Sequence, residues 1–264
     1  MVDLHSHILP NIDDGSKNME ETLKMGRIAE QEGFSKIIAT PHYIEGEFIL
    51  DREQFLNIIK EVNEHFVKNA INIEVLPGLE IYISPDLPSK LKKEEIFTLN
   101  NTFYVLIEFP MGNIPIYTED ILYEVRLLGY KPVIAHPERY AKVIEEPDYL
   151  KGLIEQGNYV QVNSLSIIGI LGKEAKRTAE ILLKHRMVHF IGTDAHTSRI
   201  RSPRIKEALE QMRQWVDNEY VEEILNNGRA LIKGEKVGIP QPLTYKPDKR
   251  FLHNVRRFFK LKIL

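Results

Sequence analysis

Cysteine is absent from the sequence. Its absence rules out disulfides, zinc–thiolate sites and Fe–S clusters, together with every enzyme that works through a cysteine nucleophile, cysteine-dependent tyrosine phosphatases included. Long uncharged apolar runs are absent too, so no transmembrane helix is expected. The N-terminus has no basic region followed by an apolar stretch, so no signal peptide is expected. These absences are consistent with a cytoplasmic protein. A strong net charge is also lacking: the total is −3, but it is unevenly spread. Residues 246–264 carry seven Lys/Arg against the single acid Asp248, a balance of +6, which leaves −9 on residues 1–245. An acidic body argues against nucleic acid as the main partner. With 264 residues, 43% apolar and 28% charged, the chain can bury one large core, and an α/β barrel of this size needs no second domain.

What is present is alternation. Apolar runs at 1–5, 36–40, 73–81, 103–108, 132–136, 159–163 and 188–192 read as strands. Amphipathic segments near 19–32, 51–68, 118–129, 146–156, 173–185, 203–214 and 218–226 read as helices. Leu23, Met25, Ile28 and Ala29 recur at helical spacing, and Gly33 stops that helix. Segments such as Lys36-Ile37-Ile38-Ala39-Thr40 and Pro132-Val133-Ile134-Ala135-His136 are apolar throughout, as strands buried on both faces are. Strand–helix alternation predicts an α/β fold with a parallel sheet, and seven units predict a closed or nearly closed barrel. No repeat, low-complexity segment or linker precedes residue 238, where Gly238-Ile239-Pro240-Gln241-Pro242 reads as the exit from the domain. The expected organisation is a barrel over 1–238 and a basic tail over 239–264.

The strand ends carry the chemistry. Strand 1 leads into His5 and His7, which share a face because side chains alternate along a strand. The following loop holds Asp13-Asp14-Gly15, and the next strand leads into Thr40-Pro41-His42. Glu80, Glu108, His136-Pro137-Glu138-Arg139, Asn163 and Asp194-Ala195-His196 follow in the same way. In a parallel barrel all such ends meet at one face. Carboxylates gathered there repel one another and would be driven to protonate unless cations neutralise them. Nitrogen and oxygen donors without sulfur suit Mn, Fe, Zn or Mg. Five histidines (His5, His7, His42, His136 and His196) and at least four carboxylates among Asp13, Asp14, Glu80, Glu108 and Asp194 exceed what one ion takes, so two or three ions are expected. Ions a few ångströms apart can share a hydroxide and clamp a phosphoryl group, the geometry of phosphate-ester hydrolysis. Glu138 and Asn163 are read as pairing or turn residues. His65, His185, His189 and His253 do not end strands and are read as structural or solvent-facing. Arg139 and Arg201 are chosen, over Arg199 and Arg204, to hold outward phosphate oxygens, with surface salt bridges as the alternative. Tyr43 and Phe48 could wall an aromatic pocket or pack the loop.

These motifs resemble the PHP superfamily (polymerase and histidinol phosphatase), and within it the manganese-dependent protein-tyrosine phosphatases of bacterial capsular and exopolysaccharide operons. The stretches that carry the likeness are Asp3-Leu4-His5-Ser6-His7, Leu9-Pro10-Asn11-Ile12-Asp13-Asp14-Gly15, Ala39-Thr40-Pro41-His42, Gly78-Leu79-Glu80, Ile107-Glu108-Phe109-Pro110, Ala135-His136-Pro137-Glu138-Arg139 and Gly192-Thr193-Asp194-Ala195-His196. The resemblance implies a distorted (β/α)7 TIM-like barrel with a trinuclear centre. It implies that His5, His7, Glu80 and Asp194 hold one metal, that Glu80, Glu108 and His136 hold a second, and that Asp14, His42 and His196 hold a third. It implies Mn²⁺ as cofactor, with Fe, Zn or Mg compatible with the same donors, and Arg139 and Arg201 as phosphate ligands. A metal-bridging hydroxide would then attack phosphorus in line with the tyrosine oxygen. The implied substrate is the phosphorylated form of a bacterial tyrosine autokinase that regulates polysaccharide synthesis at the membrane. Phe251, Val255, Phe258, Phe259 and Lys262 fall at helical spacing among arginines and lysines, which suits weak contact with an anionic membrane surface and a membrane-proximal location. A solubilising tail or a segment packing on a neighbouring chain would read the same way. The competing functions are histidinol phosphatase or another small-molecule phosphomonoesterase, a phosphodiesterase or nuclease, and a non-catalytic phosphotyrosine binder.

Overall fold

The computed structural model describes residues 1–47 and 51–246. Nine short strands form two runs of parallel pairing. In the first, β1 (Val2–Ser6), β2 (Lys36–Ala39) and β4 (Glu74–Pro77) lie in that order. The second runs β3 (His42–Tyr43), β5 (Glu80–Tyr82), β6 (Tyr104–Glu108), β7 (Lys131–Ala135), β8 (Tyr159–Asn163) and β9 (Phe190–Gly192). Only Thr40-Pro41 separates β2 from β3, and only Gly78-Leu79 separates β4 from β5. Each pair is one interrupted stave. The ring closes where Ser6 bridges Ala195, with the His7 N–H donating to the Ala195 carbonyl at 2.8 Å and the Asp194 N–H to the His5 carbonyl at 2.7 Å. Counting interrupted strands as one, seven parallel staves curl into a distorted barrel.

The strand expected over 73–81 is therefore broken. Gly78 sits at the break because the staves crowd there: a Cβ on it would lie 2.5 Å from Ile38 Cγ2. The two-residue β3 escaped the sequence pattern because it is too short to show a period.

The long helices follow their sequence signals. Asn18 caps α1 (Met19–Glu32) by accepting from the Glu21 N–H at 2.9 Å, and Gly33 ends it with φ 94°. Asp51 caps α2 (Arg52–Lys68) by accepting from the N–H groups of Glu53 and Gln54. Next come α3 (Leu87–Lys92), α4 (Thr118–Leu127), α5 (Ala141–Glu145), α6 (Asp148–Glu155), α7 (Ser164–Ile167) and α8 (Lys173–Lys184). The pattern did not mark α3, α5 or α7, which span less than two turns. The helix expected at 203–214 starts at Lys206 as α9 (Lys206–Trp215), since Glu32 accepts from the N–H groups of Ile205 and Lys206 at 2.8 Å each. The last helix, α10 (Asn218–Leu231), runs five residues past its expected end.

Strand period two divides the core. Val105, Ile107, Ile134, Val160, Val162 and Ile191 join the large cluster packed with the helices. Tyr104, Leu106, Val133, Ala135, Tyr159 and Phe190 form a second, inner cluster. Glu108 continues the Tyr104–Leu106 series, and Gln161 and Asn163 continue from Tyr159, so polar groups reach the barrel mouth on the inner face. Residues beyond α10 turn back: the Leu243 N–H donates to the His185 carbonyl and the Tyr245 N–H to Asp148 Oδ1, both at 2.8 Å. Phe48 and the basic segment 247–264 lie outside the described residues. Among the described residues no helix is long and apolar enough to cross a membrane.

Candidate metal centre

All nine strand-end candidates meet at one mouth of the barrel. Glu80 lies at their centre. Its Oε2 is 3.2 Å from His5 Nε2, 3.3 Å from His7 Nε2 and 3.1 Å from His42 Nδ1, while its Oε1 is 2.8 Å from His136 Nε2. Glu108 approaches His136 at 3.6 Å and His42 at 3.7 Å. Asp194 Oδ1 stands 3.6, 3.4 and 3.5 Å from His5, His7 and His196. Asp14, the most exposed of the set, reaches His196 at 3.2 Å and His42 at 3.5 Å. Three groups have donor atoms mutually within 4.8 Å: His7, Asp14, His42 and His196; His5, His7 and Glu80; and His42, Glu80 and Glu108. His7, His42 and Glu80 each belong to two of them.

The ring tautomers favour a cation. His5 Nδ1 lies 3.0 Å from Gln161 Oε1, whose amide nitrogen is already donating to Asn163 Oδ1 at 2.9 Å. Its proton therefore sits on Nδ1. His7 Nδ1 lies 2.6 Å from Asp13 Oδ2, which fixes the same tautomer. The two Nε2 lone pairs then face each other at 3.3 Å, and Glu80 Oε2 is buried with no well-directed hydrogen bond. Such an arrangement needs a positive charge at its centre. Without a metal that charge comes from protons. Burial opposes it, but Glu80 and Asp194 raise His5 to about 9 and, with Asp13, lift His7 well above its ordinary value. Burial opposes the charges of Glu80 and Asp194 as well, yet the facing imidazoles, His5 foremost, hold both carboxyls well below the usual range. Glu108 goes the other way: burial and the Glu80 charge push it up to about 7.

A second ring of residues orients these groups. Asp13 accepts from the N–H groups of His42 and Gly15 at 3.0 Å each, besides holding His7. Sequence reasoning placed Asp13 in the loop but gave it no role; only the fold shows that it, and not Asp14, faces the back of His7. Gln161 was passed over although it shares a strand face with Asn163. Asn163 donates to Asp194 Oδ2 at 2.8 Å. Buried Asp3 accepts from the Thr193 N–H at 2.9 Å and hydroxyl at 2.5 Å, tying β1 to the Asp194 turn. Glu138 is fully buried, accepts from Ser166 Oγ and the Asn163 N–H, and rises to about 7 through burial. His136 and Asp194 both have positive φ, 32° and 52°, so two candidate ligands sit in the left-handed region. Gly15 and Gly192 make room: a Cβ would lie 2.2 Å from the His7 carbonyl oxygen at the first and 2.7 Å from His5 Cβ at the second.

The chosen arginines converge on one atom. Arg139 Nη1 donates to Asp194 Oδ2 at 3.1 Å and Arg201 Nη2 to the same oxygen at 2.8 Å. Both remain about a quarter exposed, at 26% and 29%, and Arg201 Nε is buried without a hydrogen-bond partner. Tyr43 is buried in the core, so it packs the loop. His189 lies buried just before β9, His65 sits on α2 and His185 caps the C-terminus of α8, away from the mouth.

A curled parallel barrel with histidines and carboxylates at its strand ends defines a metal-dependent enzyme of PHP-like fold. A family model described as capsular polysaccharide synthesis, CpsB/CapC, matches residues 1–233, and the chain belongs to that family. It is 35% identical over 251 residues to the tyrosine-protein phosphatase YwqE of Bacillus subtilis, an alignment covering 95% of this chain and 99% of that protein. It is 31% identical over 243 residues to the tyrosine-protein phosphatase CpsB of Streptococcus agalactiae serotype III, covering 90% of this chain and all of that one. A crystal structure from work on YwqE of B. subtilis and CpsB of Streptococcus pneumoniae, described as metal-dependent tyrosine phosphatases, superposes with a TM-score of 0.91 at 35% identity, over 94% of this chain and 100% of the other.

Proposed function

We propose that this chain hydrolyses phosphotyrosine in proteins. It is a metal-dependent tyrosine-protein phosphatase of capsular polysaccharide synthesis, as its family membership and near-full-length likeness to YwqE and CpsB support. The observation that carries the reading is the meeting of Glu80 with His5, His7, His42 and His136, all within 2.8–3.3 Å. The donor set fits Mn²⁺, with Fe, Zn or Mg as alternatives. His5, His7, Glu80 and Asp194 would hold one ion, Glu80, Glu108 and His136 another, and Asp14, His42 and His196 a third. Bound there, such ions supply positive charge for the phosphoryl oxygens and acidify water.

The chain's own groups do the rest. Arg139 and Arg201 hold outward phosphate oxygens, and the unpartnered Arg201 Nε is a donor ready for one of them. Asp13 and Gln161 keep His7 and His5 in the tautomers that present Nε2. Asn163 and both arginines hold Asp194 from behind. A phenolate leaves with a pKa near 10, so it needs little help from a general acid. The substrate we favour is a phosphorylated bacterial tyrosine autokinase, with the basic segment 246–264 making weak contact with an anionic membrane surface. Metal-stripped protein restored with Mn²⁺ should release phosphate from a phosphotyrosine peptide far faster than from histidinol phosphate. The opposite preference would make it a small-molecule phosphomonoesterase with the same centre.

A further inference from the structure

Beside the centre, on the same face of the barrel, lies a cleft of about 320 Å³. Its apolar walls come from Met111 after β6, Ile144 of α5, Leu171 just before α8 and Ala175 in the first turn of α8, while Arg139 after β7, Lys173 and Glu174 line it with polar groups. Arg139 belongs to both places: its side chain lines the cleft while Nη1 holds Asp194 at 3.1 Å. The walls are held in position, since the Ala141 N–H donates to the Met111 carbonyl at 2.9 Å and the Arg139 N–H to the His136 carbonyl at 3.1 Å. A second cleft on the other side of the centre, about 250 Å³, has a different lining: Gly15, Lys17, Asn18, Glu21, Thr197 and Arg199, with no large apolar side chain.

A phosphate monoester held by Arg139 has one substituent to place. An aromatic ring gains from apolar walls and from stacking against a guanidinium, and only the first cleft offers both. We infer that this cleft receives the tyrosyl ring of the substrate, and that Leu171, Met111 and Ile144 set the preference for aryl over alkyl phosphate esters. This inference rests on the phosphatase reading and adds the residues that select the leaving group.

Two constants separate the ring site from the phosphate site: KM for phenyl phosphate, and Ki for inorganic phosphate as a competitive inhibitor. They are to be measured on Mn²⁺-loaded full-length protein. Leu171→Asn should raise KM for phenyl phosphate about tenfold by removing one apolar wall without adding charge, and leave Ki for phosphate within about twofold. Leu171→Ala should do the same to a smaller degree, and it carries the test if the asparagine variant folds poorly. Constants that rise together, or that both stay put, would overturn the ring assignment while leaving the phosphatase reading intact. Wild-type protein that fails to hydrolyse phenyl phosphate would overturn the phosphatase reading and the ring site with it.

Discussion

The two ends of one barrel interior obey opposite rules. At the lower end Tyr104, Tyr159 and Phe190 pack with ring centroids 5.5–5.9 Å apart. Their polar atoms are satisfied: the Tyr104 hydroxyl donates to the Glu235 carbonyl at 3.0 Å and accepts from the Val237 N–H at 2.9 Å, and the Tyr159 hydroxyl donates to the Val237 carbonyl at 2.7 Å. At the upper end, on the neighbouring β5 and just past β7, Glu80 Oε2 and His136 Nδ1 are buried without hydrogen-bond partners. The lower end satisfies its aromatic hydroxyls with polypeptide alone and leaves only the neutral His189 Nε2 without a partner among the described residues there. The upper end is complete only with cations. Stability and chemistry are thus divided along the barrel axis, as parallel barrels allow.

Four substitutions would break or sharpen that division. Glu80→Ala removes the carboxylate shared by four imidazoles, so phosphatase activity should fall at least about a thousandfold and metal content should drop, with the melting transition still cooperative; activity assays and elemental analysis check this. Phe190→Ala should do the reverse. It should cost about 3–5 kcal/mol in denaturant unfolding while the folded protein keeps its metal content. Asp13→Asn leaves all nine candidate ligands in place but weakens the hold on His7, and titration should show metal affinity about 10–100-fold lower.

The smallest effect belongs to His189. It is buried at the lower end, its Nδ1 accepts from the Val160 N–H at 3.1 Å, and burial lowers it to about 3. Below its ordinary value of about 6.5 the unfolded chain binds a proton that the folded protein refuses. Stability should therefore fall as pH drops from about 6.5 towards 3, by at most about 1.4 kcal/mol per pH unit from this residue. His189→Asn, which keeps an acceptor for Val160, should flatten that part of the stability–pH curve.

Much of this was legible in the sequence, because both signals that carry it are local. Buried parallel strands read as runs of Ile, Val and Ala, and the residue after each run is the one a barrel presents at its mouth. Eight of the nine candidate ligands lie at or just past such runs, Asp14 was taken from the loop after the first by the family likeness, and all nine meet. What escaped depends on contacts between distant segments. Asp13 matters because the loop folds behind His7, and Asp14 next to it would have read equally well for that task. Gln161 acts on a residue 156 positions away. The break at Gly78 comes from the closeness of Ile38 in the neighbouring stave, which no pattern within 73–81 encodes. The convergence of Arg139 and Arg201 on a single Asp194 oxygen was likewise invisible, although both arginines were singled out.

The most direct test of the central claim is anomalous diffraction at the manganese edge from crystals of the Mn²⁺-loaded protein. Two or three peaks at the barrel mouth are predicted, with Glu80 touching two of them and each of His5, His7, Asp14, His42, Glu108, His136, Asp194 and His196 touching at least one. A mouth without peaks, or a single ion that leaves Glu80 unligated, would contradict the account.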